Sequence, residues 1–447
     1  MSLFRSARAG QRAGSRWCSR SGGFRVAVQT LLIAACLLGQ AWAAEPFTLD
    51  SLLAEIAQRS PELQSRRAEV QAALERPVQA RAFDDPMLMV ELWQVPIGVQ
   101  QMPLMITLRQ PIPWPGKLAA RAAVLHSDAT KARADVALSA RNLRVEATRA
   151  YYDYRLAVRS LTVLRDTQRL LTAIVAAVDT RYRVGRAELA ELLKAQADAA
   201  VLDNLLLDVE RERDVTTAAM NILLARPPDQ AFGEPVTTPS LRVLPSLQQL
   251  TEQALAQRPE LAGIRAALDQ AQARQQAARI DRAPDLAVWA GYMTMLRGGN
   301  DATFTVGLQT SIPSFSIAKS SAAAREAQAQ ANAQRQMLVS TEARIRGEVR
   351  QALLRVEAAE RHIWLHNKTL LPTAERAVQA AQAGYQSGRV SLVLLLDAAR
   401  TLVDHRLEFE RYQAEYGQRL AELEAAIGAG LPVAPLAAST PPTGELP

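Results

Sequence analysis

The chain is written twice, and that duplication limits what it can fold into more than any other feature. Ser60-Pro61-Glu62-Leu63 recurs 198 residues later as Arg258-Pro259-Glu260-Leu261, and Pro86 recurs as Pro284 at the same offset. Ile106-Thr107-Leu108 followed by Ile112-Pro113 recurs 200 residues later as Val306-Gly307-Leu308 followed by Ile312-Pro313. Tyr182-Arg183-Val184-Gly185-Arg186 recurs 203 residues later as Tyr385-Gln386-Ser387-Gly388-Arg389. Landmarks in one order with a slowly drifting offset define two repeats, 46–226 and 247–428. A proline-rich connector, 227–246, joins them, and a Pro/Ala/Thr tail, 429–447, is expected not to fold.

Each repeat reads as a helix, two strands, a very long helix and a return helix. In the first, Pro61 suits a helix N1 position, and a helix is expected over 61–83 until Asp84-Asp85-Pro86 breaks it. Strands are expected at 87–95 and 103–110, with Pro111, Pro113 and Pro115 stopping the ladder. The second repeat predicts a helix at 259–281, a break at Pro284 and strands near 285–296 and 302–311. Phe304, Val306 and Leu308 alternate with Thr303, Thr305, Gly307 and Gln309, and Leu104, Ile106 and Leu108 alternate with Thr107 and Arg109. One apolar and one polar face suits a half-buried soluble strand, and equally a barrel with lipid outside and water inside. Strand length favours the barrel, because a membrane strand needs about 9–11 residues. Trp93, Trp114 and Trp289 fall in or beside these strands, as interfacial aromatics do.

From 118 to 182 there is neither proline nor glycine. At about 1.5 Å per residue such a helix is a rod near 100 Å long. Leu143, Ala147, Ala150, Tyr154, Ala157, Leu161 and Leu164 keep a 4,3 spacing, which Leu171, Val175, Val178 and Tyr182 resume. That 3.5-residue period is coiled-coil packing. Glycine at 185 turns the chain and a return helix is expected over 187–224. The second repeat predicts a rod over 318–385 with a kink at Pro372, a turn at Gly388 and a return to 427.

The formal charge of +7 suggests nucleic acid only until its location is read. Residues 1–43 hold six arginines and no acid, so the remainder carries +1 and no nucleic-acid partner is expected. The arginines precede the apolar run 26–39 and Ala41-Trp42-Ala43, the order of a secretory signal peptide. Both cysteines, Cys18 and Cys36, lie in this leader. Ile33-Ala34-Ala35-Cys36 also fits a lipobox, which would leave Cys36 as an acylated N-terminus. The cut after Ala43 is preferred, because Leu37 and Leu38 continue the apolar run past the cysteine.

An enzyme finds little support: Pro115-Gly116-Lys117-Leu118 lacks a phosphate loop's spaced glycine and Ser/Thr, and His362-Ile363-Trp364-Leu365-His366 lacks a zinc protease's glutamate. No catalytic residue and no cofactor are expected. Four strands cannot close a barrel, and an open edge in lipid leaves backbone groups unsatisfied. Three chains would pool twelve strands and six helical hairpins.

The duplicated plan, the Tyr-x-x-Gly turns and Ser391-Leu-x-x-Leu-Leu-Asp397-Ala398-x-x-Thr401 resemble the TolC family of outer-membrane efflux proteins. Gln110-Pro-Ile-Pro-Trp-Pro-Gly-Lys117 resembles its heavy-metal branch, the CzcC and CusC type. The resemblance implies a mainly α fold with a β-barrel portion: a trimer whose twelve-stranded barrel in the outer-membrane lipid continues as a long coiled-coil α-barrel through the periplasm. It implies a passive conduit for heavy-metal cations, opened by a periplasmic adaptor (membrane fusion) protein and an inner-membrane pump of the resistance-nodulation-division class. Channels for drugs or organic compounds, or for type I protein secretion, are the alternatives. A periplasmic coiled-coil adaptor is disfavoured, since it normally carries one hairpin rather than two. By the same resemblance, Val184, Gly185, Arg186, Gly388 and Arg389 are adaptor-docking tips, and Asp397 matches one gate aspartate while Leu394 stands at the other.

Two metal-ligand candidates stand apart. Met87 and Met89 share a strand face with Glu91, and Met105 shares one with Thr107 and Arg109, so these methionines are expected to line the water-filled side. Thioethers favour Cu(I), although methionine also serves as a flexible apolar filler. His362 and His366, one turn apart, have chelating spacing but also suit packing on a rod.

Overall fold

The computed structural model describes residues 47–92, 103–295, 302–311 and 317–431. The signal-peptide and Cys36 readings, Trp93, Met102 and the tail beyond 431 lie outside these described residues. Element order repeats. The first set is α1 (Leu49–Arg59), α2 (Pro61–Arg81), β1 (Met87–Leu92), β2 (Pro103–Ile112), α3 (Lys117–Arg183) and α4 (Leu189–Leu223). The second is α5 (Leu247–Gln257), α6 (Pro259–Ile280), β3 (Leu286–Met295), β4 (Thr303–Thr310), α7 (Ile317–Leu365), a π turn (His366–Leu370), α8 (Leu371–Gln386) and α9 (Leu392–Ile427).

Each repeat opens with two helices where one was expected. Thr48 and Ser246 form capping boxes with Ser51 and Gln249, starting the short α1 and α5. Pro61 and Pro259 then force the preceding residue out of the helical region, so Ser60 and Arg258 end one helix and begin the next. A second correction concerns Pro111, which lies inside β2, opposite Ala287, instead of ending the ladder. β1 stops pairing at Arg109, so Pro111 has a strand on one side only and is tolerated there.

The rods follow the coiled-coil pattern with two corrections. Leu143, Ala147, Tyr154, Ala157, Leu161 and Leu164 are buried as the spacing requires. Beyond Leu171 the seam passes through Ile174 and Val178, while Tyr182 is exposed. The second rod accommodates Pro372 through the π turn just before it: the Leu371 amide bonds to the His366 carbonyl, five residues back. Leu431, assigned to the tail, is buried against α5, α6, α7 and α9.

The cores cross the repeat boundary. Leu161, Leu164 and Val178 of α3 pack with Leu192 and Leu202 of α4, Tyr385 of α8, and Leu392 and Leu395 of α9. Arg155 of α3, buried in the same packed face, bonds Glu410 at 3.3 Å and Gln413 at 2.8 Å on α9. The connector packs too, with Phe232 against Phe47 and the Thr237 amide donating to the Tyr151 hydroxyl. At the strand–helix junction, Lys117, only 4% exposed, reaches Asp285 at 2.9 Å and the Ala283 carbonyl at 2.7 Å, and the Trp114 amide donates to the same carboxylate.

Removing Asp285 strands a buried ammonium. Asp285→Ala is expected to destabilise by about 2–4 kcal/mol, whereas Lys117→Met/Asp285→Ala, which deletes both charges, costs clearly less. Thermal unfolding of the three proteins checks this, and equal losses in both variants would contradict the junction's role.

Candidate functional site

Two regions carry functional geometry: the sheet and the hairpin tips. The sheet is antiparallel in the order β1-β2-β3-β4, so β2 of the first repeat pairs with β3 of the second. Its register places Met87, Met89 and Glu91 opposite Arg109, Thr107 and Met105. The same face continues through Met293, Gly291 and Trp289 to Thr303, Thr305 and Gly307. The opposite face carries Leu88, Val90, Ile106, Leu108, Val288, Tyr292, Phe304, Val306 and Leu308. Within one chain that apolar face has no cover: Phe304 and Val306 are 79% and 82% exposed. A row of this kind is matched to lipid or to other protein, not to water.

Met87, Met89 and Met105 share this face with Glu91, Thr107 and Arg109, and the structure adds Met293, directly across from Met105. Trp289 corrects the interfacial reading. Its indole lies on the polar face over Gly307, where a Cβ would come within 2.5 Å of the ring. Trp114, just past β2, is partly exposed.

The tips are twin Schellman turns. Arg186 and Gly185 donate their amides to the Arg181 and Tyr182 carbonyls, and Arg389 and Gly388 do the same to Gly384 and Tyr385. Both glycines adopt the left-handed region, φ +72° and +74°, with open space where a Cβ would be. Val184, Gly185, Arg186, Gly388 and Arg389 are all exposed. A link the sequence did not reveal joins the tips. The Arg181 guanidinium donates to the Tyr385 carbonyl at 2.9 Å and lies 4.6 Å from its ring centre. Burial raises the Tyr385 phenol pKa above its ordinary value, opposed by that guanidinium. Leu394 and Asp397 follow on α9, one turn apart and both exposed, with Ser391 capping the helix through the Leu394 amide.

The family model described as outer membrane efflux protein matches residues 52–226 and 250–429. The chain belongs to that family. It is therefore an efflux channel of the outer membrane with a helical periplasmic portion, a transport conduit and not an enzyme. The cobalt-zinc-cadmium resistance protein CzcC of Cupriavidus metallidurans is 22% identical over 378 residues, spanning 84% of this chain and 88% of that protein. Among solved structures, CusC is 19% identical with a TM-score of 0.74, covering 86% of this chain and 92% of its own. VceC from Vibrio cholerae is 18% identical with a TM-score of 0.71, covering 86% and 96%. Among the described residues no helix is long and apolar enough to cross a membrane.

The glycine turns are directly testable. Gly388→Val places a β-branched residue at positive φ and is expected to cost about 1–3 kcal/mol locally. Hydrogen exchange over 381–396 should speed up accordingly, and Gly388→Asn should be milder because asparagine tolerates that region. Unchanged exchange in the valine variant would show that the turn does not need glycine.

Proposed function

We propose that three copies of this chain pool their sheets into one twelve-stranded barrel in the outer membrane, and that the rods of the trimer form a continuous α-barrel in the periplasm. The observation that carries this reading is the open sheet: one largely apolar face on which Leu88, Val90, Leu108, Val288, Phe304, Val306 and Leu308 are exposed, with β1 and β4 at its outer edges. Backbone groups in hydrocarbon need partners, and only closure supplies them. A second feature agrees. On α4, Val201, Val215 and Ile222 are exposed at multiples of seven residues, a further coiled-coil seam left for a neighbouring chain. The purified protein should therefore run as a trimer in mild detergent by light scattering, and a monodisperse monomer would sink the architecture.

In this reading the channel works with a periplasmic adaptor and an inner-membrane pump of the resistance-nodulation-division class. The exposed twin turns, Val184 to Arg186 and Gly388 to Arg389, are the adaptor contacts. Leu394 and Asp397, tripled by the threefold axis, narrow the tip as a ring of mixed apolar and acidic character. Heavy-metal cations are the proposed cargo, supported by the likeness to CzcC and by the methionine row of the polar face. Trimerisation turns Met87, Met89 and Met105 into rings of soft ligands suited to Cu(I) or Ag(I). Combined Met87→Leu, Met89→Leu and Met105→Leu should lower copper or silver tolerance selectively at normal expression. Full tolerance would leave those side chains as wall material.

A further inference from the structure

Three of the chain's four histidines gather at one point on the second pair of rods, away from sheet and tips. His366, 4% exposed, opens the π turn, and His405 and Glu408 lie one turn apart on the neighbouring α9. The sequence pairing of His362 with His366 is not what the fold assembles. The His362 ring instead stacks on Tyr412, centres 4.6 Å apart and nearly parallel at 6°.

His366 Nδ1 sits 3.0 Å from the His362 backbone carbonyl, which only accepts, so Nδ1 carries the proton. In the neutral ring, Nε2 then presents a lone pair, and it stands 3.1 Å from Glu408 Oε2. His405 Nδ1 stands 3.4 Å from that same oxygen. Two acceptors this close need a positive centre between them, a proton or a metal ion. Donors sharing a tetrahedral zinc at ~2.0–2.2 Å lie about 3.3 Å apart, close to both spacings. One donor atom from each of the three side chains falls within 4.8 Å of the others. His405 is partly and Glu408 half exposed, so both side chains have room to adjust toward zinc distances.

The architecture does not require this cluster. At the 203-residue offset that relates the two turns, His405 and Glu408 correspond to Leu202 and Leu205 of α4. The first rod, α3, also runs unbroken from Lys117 to Arg183 with no π turn. Polar ligands and a π turn thus occur together in one repeat only, and π turns concentrate at functional sites.

We infer that His366, His405 and Glu408 bind a divalent transition-metal ion of the zinc or cobalt class, clamping the π turn to α9. Imidazole and carboxylate donors without sulfur select such ions over Cu(I) or Ag(I). The half-exposed Glu408 gives the ion a route from solvent, and the His362 carbonyl holds the His366 ring as an outer partner does in known metal sites. This site does not rest on the cargo reading and is separate from the methionine row.

The test is calorimetric titration of zinc chloride into full-length, tag-free protein stripped with EDTA. One zinc per chain is expected, together with a zinc-dependent rise in unfolding temperature. His405→Gln and Glu408→Gln, chosen because neither side chain is fully buried, should each weaken binding by at least the ~10-fold that loss of an outer partner costs. Both should abolish the thermal shift while keeping the wild-type circular dichroism. Met87→Leu/Met89→Leu/Met105→Leu should bind zinc as the wild type does, which separates this site from the proposed cargo path. Wild-type zinc binding no tighter than that of folded His405→Gln/Glu408→Gln overturns the inference.

Discussion

Backbone hydrogen bonding at the two outer edges of the sheet is the constraint on which the rest depends. β2 and β3 are paired on both sides, but β1 and β4 each have one neighbour within the chain. In water that is a tolerable edge, but in hydrocarbon every unpaired amide or carbonyl costs several kcal/mol. The apolar face from Leu88 to Leu308 excludes water as the long-term neighbour, so the edges must find protein. In the proposed trimer, closure across chains sets the symmetry and the symmetry places the rods, which leave the sheet through junctions such as Lys117–Asp285.

The rods are not two independent hairpins set side by side. Their apolar seams merge in shared cores, and their polar ties also cross between repeats: Arg155 with Glu410, and Arg181 with the Tyr385 carbonyl. Arg155 illustrates the cost of such a tie. A charge that deeply buried is tolerated because both Glu410 and Gln413 accept hydrogen bonds from its guanidinium, and losing one partner would leave it uncompensated. The tips end in glycine for a different reason, since a left-handed residue closes each helix and lets the chain reverse.

Much of this was legible in residue order because it is written in local periodicities. Two-residue alternation placed Met87, Met89 and Met105 on the polar face, and the 4,3 spacing from Leu143 to Leu164 found the buried seam. Glycine in the Tyr-x-x-Gly turns marked where the chain reverses, and the structure gives both glycines positive φ. What escaped was either too short or not local. α1 and α5 offered only a capping box apiece, easily lost beside the louder Pro61 and Pro259. Pro111 was misjudged because a strand with one open side tolerates proline, and that openness belongs to the pairing, not to the residue. The π turn has no period to detect. Lys117 with Asp285, and His366 with His405 and Glu408, are contacts between distant segments that only the packed rods bring together.

Disulfide cross-linking between the sheet edges tests the central claim most directly. Residues 47–431 contain no cysteine, so one cysteine in β1, at Val90, can be combined with a cysteine walked along β4 from Thr303 to Thr310. Edge pairing between chains predicts oxidised ladders of two and three linked chains in native membranes, strongest where the two residues share a face. Chains that reach the outer membrane but cross-link at no position along β4 would contradict the account.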